Sequence, residues 1–171
     1  TGFSTVLDAP GNVVATKELA EIMGPKAFAF PKPSQLIGLL IEQATSPGDL
    51  ILDSFAGSGT TGHATLTLNN AAQDTEPRRF ILVEMEPKIA RDITAERVRR
   101  VAEGYKNAKG EKVEGLGGGF RYCELGESLF DESGKIRETV SFADLARHVY
   151  FTETGEPLPR GRVTKSPFLG E

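Results

Sequence analysis

Asp53-Ser54-Phe55-Ala56-Gly57-Ser58-Gly59-Thr60-Thr61 is the stretch of this 171-residue chain whose residue types best suit it to hold a ligand. Glycines at 57 and 59 permit a sharp turn and let a ligand approach the backbone. The residues that follow read as a helix start, where the first N–H groups have no intrahelical partner. Leu50-Ile51-Leu52-Asp53 ahead of the loop is a short apolar run bounded by the turn Ser46-Pro47-Gly48-Asp49, the pattern of a buried strand. Phe80-Ile81-Leu82-Val83 is a second such run, and Glu84 ends it. Adjacent parallel strands end together, so Glu84 is expected beside the loop, where a carboxylate can accept hydrogen bonds from two ribose hydroxyls. From Gly59 to Glu84 is 25 positions, a wide spacing explained by the polar insertion around Gln73 to Pro77. Glu86 competes for the same role but more naturally caps the helix beginning at Pro87.

Other glycine loops fit these residues less well. Gly57 and Gly62 have the separation of G-x-x-x-x-G-K-[ST]. However, His63 stands where that loop needs its phosphate-binding lysine and Ala64 where it needs its magnesium-binding hydroxyl. Gly57-Ser58-Gly59-Thr60-Thr61-Gly62 matches G-x-G-x-x-G literally, yet Asp53 places a carboxylate just ahead of the loop, opposed to a pyrophosphate. A phosphate-free ligand carrying an amine suits that acid better. S-adenosylmethionine is such a ligand, offering a ribose to Glu84 and an α-amino group to Asp53.

The elements that must position these residues follow from pattern and punctuation. Thr60 to Asn69 should be a helix joining the two buried strands, which gives a right-handed strand-helix-strand unit in an open α/β sheet with ligands at the carboxyl ends of the strands. Ser34 should cap a helix whose Leu36, Ile37, Leu39, Leu40, Ile41 and Ala44 suit burial on most sides. Pro87 fits the first turn of a long helix reaching about Glu103, with Gly104 at its end and Ile89, Ile93, Val98 and Val101 along one side. Phe120 to Leu125 is expected as a third strand, with Cys123 within it, and Asp131 to Gly134 as a tight turn. Ser141 and Asp144 resemble a capping box for a last helix to about Tyr150. Upstream, Val6-Leu7 and Val13-Val14 suggest a hairpin around Asp8 to Asn12, followed by a brief helix near Lys17 to Met23. Residues 1–25 are thus expected as the tail of an upstream region, 26–150 as the ligand-binding part, and 151–171 as an extended end.

Composition narrows the function classes. A formal net charge of −4 argues against a dedicated nucleic-acid-binding module. The basic run Lys88, Arg91, Arg97, Arg99, Arg100, Lys106, Lys109 and Lys112 is interleaved with acids and reads as a solvated helix face. Cys123 is the only cysteine, which excludes an internal disulfide. His63 and His148 lie 85 positions apart without nearby cysteines or paired acids, so no metal site is expected. No apolar stretch approaches the roughly 18 to 20 residues of a membrane helix, and no basic-then-apolar leader is visible, so a soluble cytoplasmic protein with no membrane partner is expected.

The segment Asp53 to Thr61 resembles the D-P-F-x-G-S-G-T-T cofactor motif of DNA amino-methyltransferases, with Ser54 replacing the proline. Arg79-Phe80-Ile81-Leu82-Val83-Glu84 resembles the R-F-I-G-I-E strand that follows it. Phe30-Pro31-Lys32-Pro33 resembles the K-P motif that precedes the loop in the permuted, β-class enzymes. Gly115 to Tyr122 and Phe142 to Arg147 resemble the modification subunit of type III restriction-modification systems, so the likeness spans most of residues 26–155. It implies an α/β chain: a partial Rossmann-like, S-adenosylmethionine-dependent methyltransferase fold with a mostly parallel sheet flanked by helices. Lys32 and Pro33 would flank the methionine part, Asp53 would take its amino group, Phe55, Ala56, Gly57, Ser58 and Gly59 would shape the pocket, Thr60 would join them in binding the cofactor, and Glu84 would hold the ribose.

The same resemblance implies adenine as the methylated base, double-stranded DNA as substrate of the full-length protein, and a restriction subunit and a second methyltransferase subunit as partners. The family's catalytic D-P-P-Y lies upstream of the loop, whereas this chain contains no Pro-Pro pair; Asp8-Ala9-Pro10-Gly11 is the nearest string. No catalytic residue is therefore assigned. The chain is expected to be a C-terminal fragment, without the target-recognition region, that binds DNA weakly or not at all and does not methylate it unaided. Two other readings stay open on the residues: a nucleotide-cofactor (NAD-type) module of an oxidoreductase, and a non-catalytic assembly domain.

Overall fold

Leu50–Asp53 forms strand β1 and Arg79–Leu82 forms strand β2, paired in parallel with Leu50 opposite Arg79 and Asp53 opposite Leu82. The computed structural model describes residues 10–72 and 76–159 of the chain. Two further helices precede β1, α1 (Asn12–Met23) and α2 (Ser34–Ala44), and α3 (Thr60–Ala72) connects the strands. This is the strand-helix-strand unit that the alternation of apolar runs and turn residues predicts. After β2, α4 (Pro87–Ile89), a π-helical turn (Ala90–Ala95) and α5 (Glu96–Glu103) run on as one helix, ended at Gly104 as expected.

The core lies where α1, α3 and α5 meet the strands. Ile22, Leu66, Val98, Val101 and Ala102 are buried together, with Met23, Phe80, Leu82, Tyr105 and Leu116 packed against them. Gly62 makes the contact between α3 and its neighbours possible: a Cβ there would sit 2.8 Å from Val98 Cγ2 and 3.0 Å from Leu82 Cδ1. Close-packed interiors leave no slack for such a methyl.

Several expectations give way. Val13 and Val14 lie in α1, so they form no hairpin strand; Val6 and Leu7 lie outside the described residues. The helix forms because the chain from Asn12 onward places Ala15, Leu19 and Ile22 on one side, all buried, at the 3.6-residue period. α1 is therefore built into the core through Ile22. Ser34 is the first residue of α2 rather than its cap, Pro33 preceding it in extended geometry, and the Ser34 hydroxyl is turned to Glu18 instead. α2 buries only Ile41 fully, leaving Leu39 and Leu40 exposed.

The strands called buried are covered on one face. Ile51, Phe80 and Leu82 turn inward, while Leu50, Leu52, Ile81 and Val83 remain 52%, 64%, 48% and 45% exposed. In place of one mostly parallel sheet, the described residues hold the parallel β1–β2 pair and a separate antiparallel pair, β3 (Gly104–Lys106) with β4 (Lys112–Glu114). The turn between the latter is held by Asn107, whose Oδ1 accepts from the N–H of Lys109 at 3.0 Å and of Glu111 at 2.9 Å. The third strand expected at Phe120 to Leu125 does not form. That stretch is irregular and exposed, Cys123 included.

Contacts divide the chain into Thr1–Tyr122, which holds all of the above elements, and Cys123–Glu171. The second unit has the expected turn, Gly134 N–H to Asp131 O at 3.0 Å, and the helix α6 (Phe142–Thr154). Ser141 Oγ accepts the Asp144 N–H at 3.1 Å, as the capping box requires. α6 runs four residues past the expected Tyr150, and most of the end expected to be extended (160–171) lies outside the described residues.

Candidate cofactor-binding site

Both acids singled out by the sequence stand at the carboxyl ends of the paired strands. The ladder continues past β1 and β2 through Val83 N–H to Asp53 O at 2.8 Å and Ala56 N–H to Val83 O at 2.9 Å. Glu84 is thereby brought to the glycine loop, and its Oε2 accepts the Gly57 N–H at 2.9 Å. Its Oε1 accepts the Glu86 N–H at 3.0 Å, so the carboxylate is fixed at both oxygens by backbone donors. Each oxygen keeps a second lone pair for a further donor. Glu86 serves as the cap of α4, its side chain accepting from Lys88 N–H, as the sequence suggests.

Asp53 is held equally firmly. Its Oδ1 accepts the Phe55 N–H at 3.0 Å and its Oδ2 accepts the Thr61 hydroxyl at 2.5 Å. Phe55 is 84% exposed, whereas Ala56, Ser58 and Thr60 are buried beneath the turn. Gly59 has φ +74°, and a Cβ there would lie 3.0 Å from the Thr94 carbonyl oxygen. Only glycine fits that left-handed, closely packed position. Lys32 is exposed, but its carbonyl accepts from Thr60 Oγ1 at 3.3 Å, and Pro33 beside it is buried. The Lys32-Pro33 segment and the glycine loop are thus joined through Thr60.

Four residues outside the expected set support the loop. Thr94 Oγ1, in the π-helical turn, donates to Gly57 O at 2.6 Å. Arg97, read from sequence as part of a solvated face, is instead wholly buried. Its Nη1 reaches Ser58 O at 3.3 Å, Ser58 Oγ at 3.2 Å and Thr60 Oγ1 at 3.0 Å. Its Nη2 reaches Glu18 Oε2 at 3.1 Å and His63 Nδ1 at 3.0 Å. Arg99 lies on the surface as expected, paired with Glu96 and Glu103, whereas Arg100 is half-buried, pairing with Glu96 and donating to Ile22 O at 2.8 Å. The one sequence signal for Arg97 is its place among α5 core positions, adjacent to Val98 and four before Val101.

A guanidinium only donates, so His63 Nδ1 is the acceptor and the ring is neutral. Burial, reinforced by Arg97, lowers the His63 pKa to about 4, with Glu18 opposing. The unfolded chain, with an ordinary histidine, takes up this proton first as the pH falls. Stability is therefore full above about pH 6.5 and is lost as the pH drops towards 4. The imidazole is only 13% exposed. Denaturant unfolding is expected to show about 2 kcal/mol less stability at pH 5 than at pH 7.5 from this group. His63→Gln should flatten that slope by nearly one proton, and equal slopes in the two proteins would exclude this origin.

A family model for DNA methylases matches residues 8–96. The chain is 36% identical over 113 residues to the type II methyltransferase M.KpnI of Klebsiella pneumoniae, covering 58% of this chain and 27% of that protein. It is 34% identical over 104 residues to the type III restriction-modification enzyme StyLTI Mod subunit of Salmonella typhimurium, covering 53% and 16%. It is 43% identical over 75 residues to the EcoPI Mod subunit of Escherichia phage P1, covering 44% and 11%. The chain thus spans between 11% and 27% of the length of these relatives.

Proposed function

Because the chain belongs to the N6/N4 DNA methylase family, we propose that it is the S-adenosylmethionine-binding part of a site-specific DNA methyltransferase acting on the exocyclic amine of adenine in a restriction-modification system. The observation that carries the reading is the 2.9 Å hydrogen bond between Glu84 Oε2 and Gly57 N–H, which sets an acid with spare acceptor capacity against a sharply turned loop at two parallel strand ends. In this reading the paired strands and their helices are part of a Rossmann-like methyltransferase sheet. The binding region falls within residues 26–150, with α1 packed against it through Ile22 and Glu18.

When bound, S-adenosylmethionine supplies a methyl group on a sulfonium that a nitrogen nucleophile can take in line. The residues of this chain bind and orient. Glu84 accepts from the ribose hydroxyls, Asp53 from the α-amino group, and Lys32, Pro33 and Phe55 to Gly59 line the methionine and adenosyl surroundings. Thr60 and Thr61 hold the loop and Asp53 in place. Such positioning is the protein's main contribution to a direct transfer. The chain has no Pro-Pro pair, so it is not expected to methylate DNA by itself, and double-stranded DNA, a restriction subunit and a second methyltransferase subunit are partners of the whole protein. Calorimetry tests the reading: S-adenosylhomocysteine should bind this chain and NAD should give no heat. Binding of NAD with S-adenosylhomocysteine silent would overturn it.

A further inference from the structure

Removing a guanidinium from water is expensive, and apolar packing would serve the core at Arg97 better if packing were its only task. What an apolar side chain cannot do is donate to the inward-facing carbonyl of Ser58 and the hydroxyls of Ser58 and Thr60, which Nη1 contacts at 3.0 to 3.3 Å. We infer that Arg97 is a positioning residue for the methyl-donor site, clamping loop residues Ser58 and Thr60 from beneath while Thr94, on the same helix three residues earlier, takes the carbonyl of Gly57. This rests on reading the loop as the donor-binding site. The clamp keeps the turn in the geometry in which the Gly57 N–H donates to Glu84 Oε2, before a ligand arrives.

The network does more than hold one turn. Glu18 from α1 supplies the counter-charge to Arg97 at 3.1 Å and accepts from Ser34, which follows Lys32-Pro33 directly. Thr60 closes the ring through the Lys32 carbonyl. The two motif segments that would touch opposite parts of one ligand are therefore fixed to a single buried charge. The Arg97 Nε is left buried without an acceptor, which marks the fork as shaped for its Nη contacts and not for complete pairing.

Two variants of this chain test the inference. Arg97→Met combined with Glu18→Gln removes both charges and leaves no orphan carboxylate, while Arg97→Lys keeps the pairing to Glu18 and loses the fork. Amide exchange at Gly57, Gly59 and Thr60, followed by NMR, is expected to quicken about tenfold in the double variant relative to amides of α5, and S-adenosylhomocysteine affinity to fall about tenfold or more. Arg97→Lys should move both readouts in the same direction. Loop exchange unchanged in either folded variant would overturn the clamp. So would acceleration of loop and α5 amides by one common factor, which is the mark of a merely structural residue. If the parent chain does not bind S-adenosylhomocysteine but its loop still loosens selectively, the clamp stands and the donor-site reading fails.

Discussion

Gly59→Ala should destabilise the chain by about 2 to 5 kcal/mol and remove measurable cofactor binding. The left-handed conformation at φ +74° disfavours any residue with a Cβ by about 1 to 2 kcal/mol. The new methyl would also meet the Thr94 carbonyl oxygen at 3.0 Å, a backbone atom inside a helix that cannot rotate away. Crowding of that kind adds about 1 to 3 kcal/mol. If the π-helical turn shifted to relieve it, Thr94 would lose the Gly57 carbonyl it holds at 2.6 Å, so the strain would pass directly into the loop. Thermal unfolding and a binding titration together check this. An unchanged melting temperature would mean that the loop tolerates a side chain there and that its tight approach to the helix is dispensable.

Glu84→Ala carries the second large effect, on binding. The carboxylate is the acceptor for both Gly57 N–H and Glu86 N–H, and in the proposed complex for the ribose as well. Hydrogen bonds to a charged group contribute about 1.5 to 3 kcal/mol, so S-adenosylhomocysteine affinity should fall about tenfold or more. Glu84→Gln, which keeps one carbonyl acceptor but brings an amide that cannot accept, should fall between the two. Calorimetric affinities equal to the parent's in both variants would leave the loop a scaffold and not a binding site.

What the sequence makes legible is the local grammar around the loop. Leu50 to Asp53, the glycine turn, the helix from Thr60 and the strand ending near Glu84 all follow from apolar runs and the residues that interrupt them, and the structure pairs the strands in parallel and brings Glu84 to Gly57. The end of α5 at Gly104 and the Ser141 cap are legible for the same reason, since each depends on a few neighbouring residues. Pairing is different, because it depends on a partner far along the chain. Phe120 to Leu125 has strand-forming residues yet forms no strand, whereas the short, polar Gly104–Lys106 and Lys112–Glu114 pair because Asn107 turns the chain back between them. Arg97 was hidden by its type. An arginine amid charged neighbours reads as surface, and only the arrival of Glu18 from α1, 79 positions away, makes its burial affordable.

The bare side of the β1–β2 pair has a further consequence. Parallel strands are ordinarily sandwiched between layers, yet among the described residues Leu50, Leu52, Ile81 and Val83 offer a wet aliphatic strip beside a ladder two strands wide. Water gives up about 25 cal/mol for each Å² of such surface that finds a cover. Any layer laid over that strip would gain stability in proportion to the aliphatic area it hides from water.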